Sequence, residues 1–371
     1  MLDDKKIVAF ICECNPFHEG HKRLIKAAKK EGDIIIAVMS GNFVQRGEPA
    51  VHDKYSRAKK LLKNGISMVI ELPVEFSLSS AKYFALSSVK LLDKLGFVDK
   101  LIFGSKINDI DKLSNFADIN IKSKNNTQIK EMLKNGMSYS KALSIIYGKN
   151  LSSNDILAVE YITAIKELKS KITPTCIERV NDIPTASELR KNISKKISNE
   201  NFSDILNFKI LSAKNELINI TNTYLMTPDF YNSLIKLPNN NQSFEKIAKS
   251  IKTKNRTLAN IKRVLLNIVL GIDKNDIPDI KNYPKYIRVL GVKKTFLPYL
   301  KQIKVPYLMS FAPSSYKSFI KNFPSSREVR KNNTGEFVLS KSILNNIFAS
   351  NLYNHFANNK LVENTTQTIF I

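Results

Sequence analysis

The stretch Ile7-Val8-Ala9-Phe10-Ile11-Cys12, running into Glu13-Cys14-Asn15-Pro16-Phe17-His18-Glu19-Gly20-His21, sets the architecture of the chain. Six successive apolar side chains leave no face for water, so they suit a parallel strand covered on both sides. Asn15-Pro16 turns the chain, and Gly20 permits close backbone approach. From His21 to Lys30 the spacing predicts a helix, with Leu24, Ile25 and Ala28 on one face and lysines opposite. A strand, a turn and a helix N-terminus in succession gather unpaired N–H groups and positive dipole where an anion can sit.

Working outward, Ile34 to Met39, Met68 to Leu72, Lys100 to Phe103 and Thr173 to Val180 read as further strands. Helical patterns separate them: Asp53, an N-cap, to Asn64 before Gly65; Ser79 to Leu95 before Gly96; Asn154 to Leu168; and Ala186 to Ile197. Residues 107–150 read as helices with polar connections. The alternation predicts an α/β, Rossmann-like, doubly wound parallel sheet whose ligand lies at the carboxyl ends of the strands. Beyond about residue 200 the alternation fades and helical patterns dominate. The expected division is residues 1–200 as a nucleotide-binding catalytic domain and 201–371 as a mainly α-helical one.

The chain has 371 residues with Lys+Arg 58 against Asp+Glu 33, a formal charge of +25. Hydrophobic residues at 43% and charged residues at 25% exclude collagen-like, disordered and disulfide-scaffold classes. The acidic start and short first apolar run do not suit a signal peptide, and no run is long enough to span a bilayer, so a cytoplasmic protein without membrane contact is expected. Residues 201–371 carry 25 basic and 10 acidic side chains, and no acid lies between Asp279 and Glu328. Ten cations occupy that stretch, interleaved with Tyr283, Tyr286, Phe296 and Tyr299. Cations for phosphates beside rings for unpaired bases suit RNA; a solvated lysine face over an aromatic core is the alternative.

Three of the four histidines lie within the first 52 residues. His18 and His21 are three apart at a helix start, not four apart on a formed helix as in a zinc His-Glu-x-x-His pattern. Cys12 and Cys14 lack further ligands for zinc, so no metal site is expected. Glycine-rich Rossmann and Walker loops are absent. Two imidazoles on such a turn can face an ATP triphosphate and donate hydrogen bonds to charge developing as pyrophosphate leaves. A structural histidine pair is the alternative.

His18-x-Gly20-His21 after a first parallel strand resembles the signature of the nucleotidyltransferase superfamily that includes class I aminoacyl-tRNA synthetases and pantetheine-phosphate adenylyltransferase. The longer run from Glu13 through Asn15-Pro16-Phe17-His18 to Gly20-His21 resembles the bacterial tRNA(Met) cytidine acetate ligase family. So do Met39-Ser40-Gly41-Asn42-Phe43-Val44-Gln45-Arg46-Gly47-Glu48-Pro49-Ala50 with Lys54 and Arg57, Ile70-Glu71-Leu72-Pro73, Phe103-Gly104-Ser105, Ser153-Asn154 with Leu157, Glu160-Tyr161, and Ser187 with Leu189-Arg190. The likeness covers most of residues 5–195 and thins afterwards, where Ile287-Arg288-Val289-Leu290-Gly291 is its best echo. Cys14 stands where an aromatic is usual, Lys106 where an acid is common, and the link from Arg179 to Thr185 is short.

The resemblance implies a ligase that joins acetate to ATP as acetyl-adenylate, then acetylates N4 of the wobble cytidine, position 34, of elongator tRNA(Met). It implies an ATP site made of Ile11, Cys12, Glu13, Cys14, Asn15, Pro16, Phe17, His18, Glu19, Gly20, His21, Lys22, Arg23, Leu24, Gly104, Asn154 and Arg179, with His18 and His21 catalytic. Gly104 ends a strand where a side chain would meet the nucleoside, Asn154 starts a helix as cap or ligand, and Arg179 suits a phosphate or carboxylate. Ser40, Gln45, Arg46, Lys54, Arg57, Ser187 and Arg190 are the expected auxiliary groups for phosphate or acetate. Lys285, Arg288, Lys293 and Lys294 are the expected tRNA contacts, and Mg²⁺ is expected from triphosphate chemistry. A small-molecule adenylyltransferase and a non-catalytic RNA-binding protein on the same fold are the alternatives.

Overall fold

The computed structural model describes residues 4–123, 131–132, 137, 139–148, 151–179, 184–193, 197–254, 256–277 and 284–371. Parts of the expected 107–150 insertion, Val180, Lys281 and Tyr283 lie outside them. In chain order the strands are β1 (Ile7–Cys12), β2 (Ile34–Ser40), β3 (Phe43–Val44), β4 (Glu48–Pro49), β5 (Met68–Leu72), β6 (Lys100–Ser105), β7 (Thr173–Glu178), β8 (Ile287–Val292), β9 (Tyr307–Leu308), β10 (Val329–Lys331), β11 (Phe337–Leu339) and β12 (Ile369–Phe370).

Five parallel strands form the centre in the order β5-β2-β1-β6-β7. This is the doubly wound arrangement, with its reversal of winding between β1 and β6. The fully buried Ile7, Val8, Ala9 and Phe10 account for the unbroken apolar run. The recorded β1–β6 pairing comprises Val8↔Lys100 and Ala9↔Leu101 alone, so the carboxyl halves of the two strands part and leave a crevice. The helix Glu19–Glu31 covers one face, and Ala81–Asp93 packs with Ser153–Glu167 elsewhere. Asp53 caps Lys54–Lys63 as expected, accepting from the Ser56 amide at 2.9 Å.

The second half is not only helical. β8 adds antiparallel to β5, with β9 and β12 parallel to it, so the sheet takes strands from both sides of residue 200. Arg288, inside the apolar run of β8, hid this strand from a reading by charge. Gly291 fits because a Cβ there would lie 2.6 Å from Leu62 Cδ1 on the covering helix.

The helix Lys341–Phe356 docks through a buried polar joint. Asn346 Oδ1 accepts from the Val74 amide at 2.9 Å, and Ser342 donates to the carboxylate of Glu75. Burial, opposed by the Ser342 bond and reinforced by Asp276 and Glu328, pushes the Glu75 carboxyl up to about 7. The folded state therefore holds a proton there that the unfolded chain, titrating near 4.5, releases earlier. Stability falls as pH rises from about 4.5 to 7, by roughly 3 kcal/mol at 1.4 kcal/mol per unit. We expect Glu75→Gln to remove that slope, so that its melting temperature gains on wild type between pH 5 and 8. A constant difference across that range rules this out.

Candidate active site

The turn after β1 is built by its own histidines. His18 is the N-cap of the helix Glu19–Glu31: its Nδ1 accepts from the Gly20 amide at 2.9 Å. The His21 ring closes the box, Nδ1 accepting from the His18 amide at 3.2 Å. With Nδ1 an acceptor, each neutral ring carries its proton on Nε2; that of His21 is taken by the Cys14 sulfur, so His18 and not the expected pair offers the donor. The ring centroids are 4.2 Å apart, and Phe17 stacks on His21 at 5.6 Å. Gly20 acts differently from the expectation that it admits a ligand. A Cβ there would lie 2.7 Å from His18 Cε1, so glycine makes room for the histidine itself. We expect Gly20→Ala to displace the His18 ring and lower nucleotide turnover about tenfold or more with the fold retained. Pyrophosphate exchange beside circular dichroism checks this, and wild-type exchange would refute it.

The electrostatics separate the two rings. Partial burial first, then His21, Arg179 and Arg190, lower the His18 pKa to about 4, so this ring is neutral at pH 7. Burial alone would lower that of His21, but the Cys14 sulfur against it and the Glu13 carboxylate outweigh burial and hold it above the ordinary value. Cys14, at φ +48°, brings its sulfur within 3.3 Å of Cys12 Sγ. The pair is buried and reduced.

Around the turn the loops are tied together. Glu13 Oε1 accepts from the Gln45 amide at 2.9 Å, and Asn15 Oδ1 from the Val51 amide at 2.8 Å. Arg190 donates to Asn15 O at 2.7 Å and Ser187 Oγ at 3.0 Å. Thr185, not Ser187, caps its helix. The Arg179 amide bonds Ser105 O at 3.0 Å, at the end of β6. Arg46 is exposed on the β3–β4 hairpin, and its charge acts on both Glu13 and Arg190. Across the crevice a Cβ on Gly104 would meet no atom within 4 Å. Asn154 is not the cap of its helix. Ser152 is, in a box with Asp155.

The structure corrects several expected roles. Lys54 is sealed inside, its Nζ 2.8 Å from both Glu71 and Glu363. Arg57 is likewise buried and donates to the carbonyls of His52, Glu13, Ser40 and Gly41. Ser40 is wholly buried. Buried in this way, none of the three can meet a substrate phosphate, and it is Arg57 that ties the loops together. Lys22 pairs with Glu19 at 3.0 Å on the helix surface, Arg23 is exposed beside it, and Leu24 packs into the core. Of the expected tRNA contacts, Arg288 is 1% exposed and lies 3.7 Å from Glu363. Lys293 follows β8 where its amide bonds Ser67 O, before β5 begins, so it and Lys294 lie at the sheet edge opposite the histidines. Lys285, preceding β8, lies at the same edge as the histidines. Tyr286 and Phe296 are core residues rather than stacking platforms.

Asp155 was missed, although Ser152-x-x-Asp155 is a readable capping box. Its buried carboxylate also takes the Ser105 hydroxyl at 2.7 Å and the Lys106 amide at 2.9 Å, fixing the far wall of the crevice. Arg263, whose Nη1 donates to Gln45 O at 2.9 Å, carried no local signal.

A donor-bearing turn at the switch point of a doubly wound sheet defines a nucleotidyltransferase of the His-x-Gly-His type, and the model of the family described as HIGH Nucleotidyl Transferase matches residues 5–198 and 183–367. A tRNA(Met) cytidine acetate ligase of Fusobacterium nucleatum is 34% identical over 345 residues, covering 81% of this chain and 86% of that protein. One from Thermoanaerobacter sp. is 34% identical over 369 residues, covering 85% and 91%. The crystal structure of Thermotoga maritima TmcAL bound with alpha-thio ATP superposes with a TM-score of 0.82 at 26% identity, over 99% of each chain. The chain belongs to the HIGH nucleotidyltransferases and, within them, to the tRNA(Met) cytidine acetate ligase family.

Proposed function

We propose that the chain is an ATP-dependent ligase that makes acetyl-adenylate and acetylates N4 of the wobble cytidine of elongator tRNA(Met). An acetate oxygen attacks the α-phosphorus and the bond to the β-phosphate oxygen breaks, releasing pyrophosphate. The cytidine amine then attacks the acetyl carbon, loses a proton, and AMP departs. An exocyclic amine conjugated to its ring is a weak nucleophile, so the mixed anhydride supplies the driving force.

The observation that carries this reading is the His18–His21 box at the mouth of the β1–β6 crevice. In this reading the His18 Nε2–H faces phosphate oxygens and gains strength as charge moves onto the leaving pyrophosphate, while His21, bonded to Cys14, holds the turn. The likeness to a relative bound with alpha-thio ATP supports ATP as the nucleotide. In this reading the adenosine lies over Gly104, where no side chain intervenes, near Asn154, while Arg46, Arg179 and Arg190 face phosphate or carboxylate. Triphosphate chemistry supports Mg²⁺ as the counter-ion that accompanies ATP. The names of the relatives support tRNA(Met) as the acceptor.

Purified protein incubated with labelled acetate, ATP and total tRNA tests both halves. Label entering tRNA(Met) with one AMP released per acetyl group is the expected result. Pyrophosphate release without RNA labelling would instead point to a small-molecule acceptor.

A further inference from the structure

A cavity of about 410 Å³ opens between the lead-in to β8 and the segment before β10, lined by Lys285, Lys304, Phe323, Ser326, Arg327 and Glu328. Its mouth and floor differ in charge. Lys285, Lys304 and Arg327 are exposed around it. Glu328 is 4% exposed, and its Oε2 takes no hydrogen bond from the described residues. A buried carboxylate oxygen without a donor is costly, so a ligand that brings a hydrogen-bond donor, such as an amino group, completes it. Phe323, half-buried and set edge-on to Tyr307 at 5.6 Å, adds an aromatic surface.

A simple anion suits the three cations and is repelled by the carboxylate; a simple cation has the opposite problem. A nucleotide satisfies both, with phosphate at the mouth, amino edge of the base on Glu328 and ring on Phe323. The volume lies within the range of small-ligand sites.

Location gives this a purpose. β8 runs antiparallel to β5 and β9 follows it in parallel, so Lys285 and Lys304, which precede these strands, stand on the same sheet edge as the histidine turn. The order β1-β2-β5-β8, with β9 beyond β8, separates the two places by three to four strand spacings, roughly 15–20 Å. That is a few nucleotides of single-stranded RNA.

We propose that this cavity binds one unstacked nucleotide of the RNA substrate whose base carries an amino group, anchoring the strand while another nucleotide reaches the adenylate. This rests on the tRNA reading above. The test measures affinity of the full chain for a labelled tRNA(Met) anticodon stem-loop at fixed salt, with acetate-dependent ATP–pyrophosphate exchange as the control. Arg327→Ala and Phe323→Ala each weaken RNA binding about tenfold and leave exchange intact, whereas Lys317→Ala, an equal loss of charge on the neighbouring helix, changes it less than twofold. With ATP saturating, CMP competes with the stem-loop more strongly than UMP, which lacks the amino group, and Glu328→Gln reduces that preference. Pocket variants that bind like Lys317→Ala, or equal competition by CMP and UMP, overturn the proposal while the ligase reading stands. A wild-type chain that neither binds nor acetylates the RNA sinks that reading and the anchor with it.

Discussion

His18→Ala is expected to lower acetate-dependent ATP–pyrophosphate exchange by about 10²- to 10³-fold, the usual loss when one preorganised donor to developing charge is removed. The fold explains why this ring has no substitute. Its Nδ1 is spent on the Gly20 amide, which fixes the plane of the ring and leaves Nε2–H as a donor of known direction. Its pKa near 4 keeps it neutral at pH 7, so the donor is a preorganised dipole. The same side chain also caps the helix, and losing a cap costs about 1 kcal/mol. His18→Asn separates the two duties. Asparagine is among the best caps, but its amide is too short to reach where the imidazole reaches. Stability should return in His18→Asn while exchange stays as low as in the alanine variant. Recovery of activity along with the cap would show that His18 is only structural.

The sequence was informative wherever physics acts locally. An unbroken apolar run such as Ile7–Phe10 needs two covers, Asp53 and Gly65 mark helix ends, and His18 to His21 sit where a helix must start. These signals located the central parallel strands and the crevice. Charged residues inside apolar surroundings misled, because the fate of a charge is decided by a partner far along the chain. Lys54 reads as a phosphate cation until Glu363, 309 residues away, is found against it. Arg288 reads as an RNA contact until the same carboxylate and Tyr55, whose hydroxyl lies 3.1 Å away, enclose it. Gly20 reads as an opening for ligand, yet its atoms make room for a ring two residues before it.

That enclosed cluster should be the most sensitive point for stability. Lys54 and Arg288 balance Glu71 and Glu363, with Tyr55 donating to Glu363 at 2.9 Å. Lys54→Met removes one cation and leaves two buried carboxylates facing a guanidinium that touches only one of them, at 3.7 Å. Breaking a buried pair in this way costs about 3–5 kcal/mol. With an unfolding entropy of roughly 2.1 cal/mol/K per residue over 371 residues, the melting temperature should fall by about 4–6 °C. Adding Glu363→Gln to Lys54→Met removes the surplus charge and should restore part of the loss, a coupling that a double-mutant cycle reads directly. The effect reaches the active site through one helix. Lys54 opens the helix on which Arg57 holds the carbonyls of Glu13, Ser40 and Gly41, joining the loops after β1 and β2. Residual exchange in folded Lys54→Met should therefore fall only modestly, far less than in His18→Ala. An unchanged melting temperature with a hundredfold loss of exchange would return Lys54 to the substrate and overturn its place in the interior.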